Sequence, residues 1–87
     1  YIRLQSGFTV TWVGASITPV ANSWTNRTWT FPVTFTAVPT IIMTADTSAE
    51  TVQNASYANP ATTSCQLGIV RSNTTSTGFS AVAIGWS

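Results

Sequence analysis

Apolar and polar residues alternate with a period of two along most of the chain. Successive side chains of a β-strand point to opposite faces of a sheet, so this alternation predicts strands. No stretch shows the helical spacing of an amphipathic helix. The predicted strands cover residues 1–5, 8–12, 27–35, 40–45, 63–71 and 78–86.

The faces of these strands differ in character. Phe8, Val10 and Trp12 share one face of the second strand, with threonines opposite. The alternation is cleanest over 27–35, where the face-sharing residues are Trp29, Phe31, Val33 and Phe35. In the last strand both faces are apolar. This pattern is typical of a strand that is covered on both sides, here by its own partner sheet and by another sheet or chain.

Turn and loop signals separate the strands. Ser6-Gly7 predicts a tight turn, and residues 72–77 predict another. Residues 14–26 and 46–60 are polar and predict two long loops; a short strand near Val52 is the alternative within the second. Pro32 has no amide hydrogen, which indicates an edge strand or a bulge at that position. Six or so short strands at this spacing predict an all-β fold, a small antiparallel β-sandwich of one domain over residues 1–87.

Composition narrows the possible chemistry. Only 6% of the 87 residues are charged, and His is absent. Three scattered arginines cannot make the several phosphate contacts that nucleic-acid binding needs, so nucleic acid is not an expected partner. Two carboxylates, one Cys and no His argue against a catalytic acid–base site and against a metal site. We therefore expect no enzyme activity, no cofactor and no metal, and no stretch is apolar enough for membrane insertion.

Low charge also bears on assembly. Monomeric proteins usually keep a net charge well away from zero, whereas this chain carries +1. One explanation is that much of its surface is hidden in an oligomer; the other is that its seventeen threonines and ten serines keep it in solution. The single Cys65 cannot form an intrachain disulfide. Because the chain opens at Tyr1 without Met, we expect it to be a fragment of a longer protein.

The aromatic residues divide into two groups. For Trp12, Trp29 and Trp86, which lie on apolar strand faces, a core or inter-subunit position is favoured over a binding role. Trp24 and Tyr57 lie in polar segments, where aromatic rings can stack on sugars while amides and carboxylates bind hydroxyls. Trp24 as a plug folded back onto the protein is equally compatible with the sequence. The candidate ligand-binding residues are Trp24, Tyr57, Asn22, Asp46, Glu50, Asn54 and Asn59.

Three motifs in order resemble the C-terminal tip domain of bacteriophage tail fibres. The first is Tyr1-Ile2-Arg3-Leu4 with a Gly turn and an aromatic strand, the second is Phe31-Pro32-Val33-Thr34-Phe35, and the third joins Thr77-Gly78-Phe79 to Ala83-Ile84-Gly85-Trp86. The resemblance spans nearly the whole chain. It implies a β-sandwich that forms a homotrimer at the fibre end, similar in architecture to the H-type lectins.

The resemblance also implies a function. It predicts a receptor-binding tip at the distal end of a virion tail fibre, which contacts host surface polysaccharide or an outer-membrane protein through several weak sites at once. The alternative is a structural cap that holds three chains in register and has no ligand site of its own. An exposed cleft of aromatic and Asn side chains would favour binding. A tip with only packed Thr and apolar residues would favour the cap.

Overall fold

The fold is entirely β in the part of the chain that the computed structural model describes, residues 1–45 and 52–87. No helix in these ranges is long and apolar enough to cross a bilayer. The strands are β1 (Ile2–Arg3), β2 (Phe8–Ile17), β3 (Thr25–Thr30), β4 (Thr40–Ala45), β5 (Val52–Ala58), β6 (Ser64–Arg71) and β7 (Thr77–Trp86). The prediction of an all-β fold is confirmed.

Two antiparallel sheets form the sandwich. The first has four strands in the order β1-β2-β7-β4, and the second has three in the order β3-β6-β5. All pairs are antiparallel, and β2 and β7 pair over their full lengths, from Phe8 opposite Trp86 to Ile17 opposite Thr77. The central strands β7 and β6 thus supply the middle of each layer.

The core lies between the inner faces of the sheets. Phe79, Ala81 and Ala83 of β7 are almost fully buried, and so are Leu67 and Ile69 of β6. Their burial follows from the alternation seen in the sequence, because every second residue of a central strand points inward. The prediction that one apolar face of the last strand packs against a second sheet is confirmed.

Three aromatic rings pack in series within this core. Trp29 and Phe31 meet edge to face with ring centroids 4.9 Å apart, and Phe31 and Phe35 do so at 5.4 Å. Perpendicular ring pairs at this distance are favourable because the positive edge of one ring meets the negative face of the other. All three side chains are buried, which confirms the core position expected for Trp29.

The strand expected over 27–35 is shorter than its alternation suggests. β3 ends at Thr30, and residues 31–39 form no strand. Pro32 cannot donate to a sheet ladder, so the backbone leaves the sheet there. The amides of Phe31 and Phe35 instead donate to the carbonyls of Thr63 and Thr62, both at 2.9 Å. Both rings therefore still point into the core, although regular strand pairing stops at Thr30.

The two long loops are also shorter than predicted. β2 continues through Gly14 to Ile17, and residues 52–58 form the full edge strand β5 rather than a loop, so the alternative of a strand near Val52 holds. Three of the seven residues of β5 are polar, as an edge strand that presents one face and one edge to solvent allows. The polarity of this segment is therefore why the sequence predicts a loop where β5 forms. Residues 46–51 lie outside the described ranges.

Several inward positions are threonines. Thr9, Thr11 and Thr77 are completely or almost completely buried. The Thr9 hydroxyl donates to the Gly7 carbonyl at 2.9 Å, and the Thr77 hydroxyl donates to the Thr75 carbonyl at 3.0 Å. These bonds satisfy groups that would otherwise be costly to bury. The face of β2 that carries Thr9 and Thr11 is thus the core face, and the face that carries Phe8, Val10 and Trp12 points away from the core.

The predicted turn at Ser6-Gly7 is confirmed. Gly7 has a φ of 94°, which only glycine adopts without strain, and the amide of Leu4 bonds the Phe8 carbonyl at 2.8 Å. The turn also holds the last residue: the Ser87 amide donates to the Gly7 carbonyl at 2.9 Å, and the Arg3 Nε donates to the Ser87 hydroxyl at 3.0 Å. Ser87 is therefore fixed beside the first strand.

The buried thiol of Cys65 gives a pH dependence that can be tested. Burial raises the pKa of this thiol above its ordinary value of 9.0, since a thiolate is poorly solvated in the core. The unfolded chain therefore loses the proton first. We expect the free energy of unfolding to fall as the pH rises above that ordinary value, and to be unaffected by this group at lower pH. Because Cys65→Ala also removes a buried side-chain atom, its free energy of unfolding should differ from the parent's by a constant amount at lower pH. That difference should change only in the alkaline range; a difference that stays constant at every pH would contradict the assignment.

Candidate interaction surfaces

The outward face of the four-stranded sheet is largely apolar, and we call it the apolar sheet face. Its rows follow the strand register: Phe8 lies opposite Trp86, and Trp12 lies opposite Val82, which pairs with Ile42. The members of the apolar sheet face are Ile2, Phe8, Val10, Trp12, Ile42, Val82, Ile84 and Trp86.

Large side chains on this face are open to solvent in the single chain. The exposed fractions are 53% for Trp12, 57% for Ile42 and 58% for Trp86. A core position for Trp12 and Trp86 is therefore wrong, and their inter-subunit position stays a prediction. Both lie outside the core because β2 and β7 place threonine, alanine and Phe79 on their inner faces.

The rings on the apolar sheet face are already organised. Phe8 and Trp86 pack edge to face with centroids 5.5 Å apart, and the carbonyl of Trp86 accepts hydrogen bonds from the amide and the hydroxyl of Thr36. A contiguous apolar patch on an ordered sheet is the type of surface that a protein partner covers. This face can therefore gain free energy from association without first becoming ordered.

The outward face of the three-stranded sheet has the opposite composition, and we call it the polar sheet face. Its rows join Asn26 of β3 to Gly68 of β6 and Ser56 of β5, and Thr28 to Gln66 and Ala58. The remaining strand positions on this face are Thr30, Ser64, Val70 and Asn54. Amide and hydroxyl groups therefore flank a central glycine.

Trp24 covers that glycine. A Cβ atom built on Gly68 would lie 2.5 Å from the indole Nε1 and 2.7 Å from Cζ2, far inside any normal contact. The absence of a side chain at position 68 is thus what allows the indole to lie on the strand. Trp24 is half-buried, and its Nε1 is fully covered with no hydrogen-bond partner among the described residues. The Cε2–Nε1 side of the ring contacts the sheet, and because Nε1 is covered, any ring surface open to solvent is carbon.

The loop that carries Trp24 is held at several points. The Asn22 amide donates to the Arg71 carbonyl at 2.6 Å, with Asn22 at a φ of 59° that asparagine tolerates better than most residues. The Val20 amide donates to the Thr25 hydroxyl at 2.8 Å, and the Ser23 amide to the Val20 carbonyl at 3.1 Å. These bonds fix the loop to the end of β6, so Trp24 is positioned before any ligand arrives.

The predicted site residues are only partly brought together. Asn54 lies on the polar sheet face and donates to the Ser56 hydroxyl at 3.3 Å. Asn59 follows β5 and donates from Nδ2 to Oε1 of Gln66 at 2.6 Å. Asn22 is exposed in the Trp24 loop. Asp46 and Glu50 lie outside the described residues.

Tyr57 lies on the other side of its sheet. It pairs with the core residue Leu67, so its direction is opposite to that of Gly68 and Trp24. It is nevertheless 46% exposed because β5 is an edge strand. Trp24 and Tyr57 therefore do not share one surface within a chain, although both segments were expected to form a single site.

Ionisable side chains are absent from the polar sheet face over the described positions. Arg27 pairs with Leu67 and donates to the Ser16 carbonyl at 3.2 Å, while Arg71 is 4% exposed and bonds the Thr77 hydroxyl. The described residues also hold no group of three metal-ligating side chains and no enclosed pocket. Any ligand of this surface would bind an open sheet through neutral groups.

Two solved structures share the fold of this chain. No protein family and no curated protein matches the sequence. Among solved structures, the C-terminal fibre fragment (residues 323–701) of the R1 pyocin of P. aeruginosa is similar over 93% of this chain and 24% of its own, with a TM-score of 0.71 and 20% identity. An N-truncated R1-type pyocin tail fibre matches equally well and is covered over 73% of its length.

The chain has the fold of a tail-fibre C-terminal region. This confirms, for the fold, the resemblance read from the three motifs. The chain spans about a quarter of the first of these fibre fragments. The similarity to H-type lectins stays a prediction.

The sequence did not single out three residues of the polar sheet face as candidates for a site. Gly68 and Gln66 were assigned only to a strand, and Asn26 only to a loop end. The available signal was Gly68 itself, because a glycine in the interior of a strand often marks the close approach of another group. The approaching group, Trp24, could not be inferred since it comes from a loop more than forty positions earlier in the chain.

Proposed function

We propose that this chain is the C-terminal tip domain of a phage-type tail fibre and acts, without enzyme activity, in attachment of the particle to a host cell. The observation that carries the proposal is the fold similarity to the R1 pyocin fibre fragments over 93% of the chain. The low charge and the absence of His leave little material for catalysis. The domain would then reside in the virion, at the distal end of the fibre.

We further propose that three copies associate through the apolar sheet face. Trp12, Ile42 and Trp86 expose more than half of their surface in the single chain, at neighbouring positions of one sheet. Closed cyclic symmetry would bury the same patch on every chain. Sedimentation should give a homotrimer at micromolar concentration, and a stable monomer would contradict this assembly.

The same apolar sheet face supports a second candidate, a structural cap that sets the register of the trimer and leaves recognition to other parts of the fibre. The two candidates make different demands on the polar residues. A cap needs only the trimer interface. A receptor-binding tip needs exposed groups such as Trp24, Tyr57, Asn22, Asn54 and Asn59, together with Asp46 and Glu50, to contact host polysaccharide or an outer-membrane protein.

Three linked tips would gain much from simultaneous binding. Several weak sites on one particle raise the overall affinity by about 10²–10⁴ without new contacts. Weak individual sites on an open surface are therefore sufficient for attachment. This fits a domain whose described surface carries flat aromatic and amide groups rather than a deep pocket.

Alanine variants of the two candidate aromatic residues separate these functions. Because Trp24 and Tyr57 lie on opposite sides of their sheet, Trp24→Ala and Tyr57→Ala should be made singly and together. We expect the double variant to lose adsorption to cells that the parent binds, with the trimer and its melting temperature nearly unchanged. Val20→Ala, at an exposed position of the Trp24 loop, is the matched control. Normal adsorption by a folded double variant would favour the cap.

A further inference from the structure

We infer that the polar sheet face binds an uncharged glycan chain, with one sugar ring stacked on the indole of Trp24. The inference rests on the proposed function and narrows its host contacts to one surface and one ligand chemistry. The juxtaposition that carries it is an indole packed on Gly68, bordered by Asn26, Ser56 and Gln66, on a face whose described positions carry no ionisable side chain.

The first step concerns which part of Trp24 is available. The indole nitrogen is covered and is not open to a ligand, while the residue as a whole is only half-buried. With that nitrogen covered, any part of the ring that a ligand reaches is carbon surface. Sugars present C–H groups on one side of the pyranose ring, and these pack on an aromatic face while the hydroxyls remain at the edges. The exposed ring therefore suits a sugar better than it suits a hydrogen-bonding anion.

The second step concerns the groups around the ring. Asn26 and Ser56 lie on either side of Gly68 in the same row, one on each neighbouring strand. In the adjacent row, Asn59 occupies the Oε1 of Gln66, so the NH₂ group of Gln66 and the Oδ1 of Asn59 keep donor and acceptor capacity. Donors and acceptors that alternate around an aromatic surface match the hydroxyls of a sugar, each of which both donates and accepts.

The third step concerns charge. The described strand positions of this face are Asn, Thr, Ser, Gln, Gly, Ala and Val. Arg71, the last residue of β6, is buried and donates to the Thr77 hydroxyl, and Arg27 extends toward β2, where it donates to the Ser16 carbonyl. A phosphorylated or carboxylated glycan would lose its hydration without gaining a cation in return. The surface therefore favours uncharged sugars over acidic ones.

The fourth step excludes a protein as the main ligand. Protein interfaces depend on a few large side chains that are buried at the centre of the contact. Here Trp24 is the one large aromatic residue on the described part of the face, and its ring already lies against the sheet. Neutral amides and hydroxyls on a flat sheet offer many weak polar contacts, which is what an extended sugar chain requires.

The test uses Gly68→Ala in the otherwise intact protein. An added methyl group would overlap the indole and displace it, whereas the backbone at position 68 needs no positive φ and alanine is well tolerated in a strand. Gly14→Ala is the matched control, because a Cβ at position 14 meets nothing within 4 Å. Trp24→Ala removes the ring itself. Retained thermal unfolding temperatures establish that each variant folds.

Binding is measured by NMR on titration with methyl glycosides of neutral hexoses, deoxyhexoses and N-acetylhexosamines, from the shifts of the Asn26 and Gln66 backbone amides in every variant and of the Trp24 indole N–H wherever the ring is present. Glucuronic and sialic acid serve as charged probes. We expect at least one neutral glycoside to shift these signals. Gly68→Ala and Trp24→Ala should weaken that binding about tenfold or more, and Gly14→Ala should leave it unchanged. The affinity should not change between about 0.05 and 0.5 M NaCl, because no ion pair is involved.

Three results would overturn the inference: no shift with any neutral glycoside, preference for the acidic probes, or equal binding by Gly68→Ala and the parent. The proposed function is assessed separately by sedimentation and by adsorption of the parent to cells. A protein that forms trimers and adsorbs but binds no neutral sugar refutes the glycan site and leaves host attachment standing. A protein that binds a neutral sugar but neither forms trimers nor adsorbs refutes the fibre-tip function instead.

Discussion

Replacing Phe79 with alanine should lower the free energy of unfolding by about 3–5 kcal/mol. The Phe79 side chain is fully buried at the centre of β7. Its neighbours in the sheet are Ala15 of β2 and Ala45 of β4, which are too small to move into the space that the ring leaves. The cavity would therefore persist, and a domain of this size has only about 5–15 kcal/mol of stability to lose.

Denaturant unfolding at one fixed protein concentration measures this effect, because self-association would otherwise add to the apparent stability. Val38→Ala is the control: its side chain is 55% exposed outside the strands, so we expect a change within about 0.5 kcal/mol. Equal stabilities for the two variants would mean that Phe79 is not at the centre of the core.

An aspartate in place of Ile42 should convert the proposed trimer to monomers. Ile42 lies in the same row as Trp12 and Val82 on the apolar sheet face, where a partner chain would surround it with apolar groups. An unpaired charge in such a contact costs about 3–5 kcal/mol. Since about 1.4 kcal/mol corresponds to a tenfold change in an equilibrium constant, each substituted chain should lower the association constant by more than about a hundredfold.

Analytical ultracentrifugation of Ile42→Asp and Val38→Asp makes the comparison direct. Both isoleucine and valine side chains are more than half exposed in the single chain, but Val38 lies outside the apolar sheet face. We expect only Ile42→Asp to sediment as a monomer, and Trp86→Ala to weaken assembly to a smaller extent. Trimers of Ile42→Asp as stable as the parent's would place the subunit interface elsewhere.

The strands of this protein follow from its sequence better than their faces do. Alternation with a period of two identified β4, β6 and β7 almost to the residue, because central and paired strands must sort their side chains between two faces. It failed where a backbone effect intervenes. Pro32 ends pairing inside the cleanest alternation of the chain, and the polar edge strand β5 has no apolar face strong enough to reveal it.

The faces of β2 show why hydrophobicity alone misassigns the core. Phe8, Val10 and Trp12 are more apolar than Thr9 and Thr11, yet the threonines are inside. Buried threonines are acceptable when their hydroxyls find backbone acceptors, as that of Thr9 does at Gly7. When a strand carries its large apolar residues on the outer face, as β2 does, hydrophobicity alone does not distinguish the core face from a face that another chain would cover.

The sequence predicted which kinds of residues form the candidate site, but only part of their arrangement in the fold. Loop position and neighbouring amides singled out Trp24, Asn54 and Asn59, which the structure places on or beside one face. Tyr57 was grouped with them because a presumed loop imposes no side. Once residues 52–58 form a strand, parity sends Tyr57 to the opposite side of the sheet. Register, which long-range pairing sets, was the missing information.

The fixed position of Ser87 beside Arg3 gives the domain two unlike poles. The Gly7 turn and Ser87 form one pole, whereas β2 and β7 reach the other pole, where Ile17 lies opposite Thr77. Ten residues of strand separate the poles by roughly 30 Å. Because Trp24 lies on the flank of the three-stranded sheet rather than at either pole, a glycan bound as inferred above would run along the side of the domain.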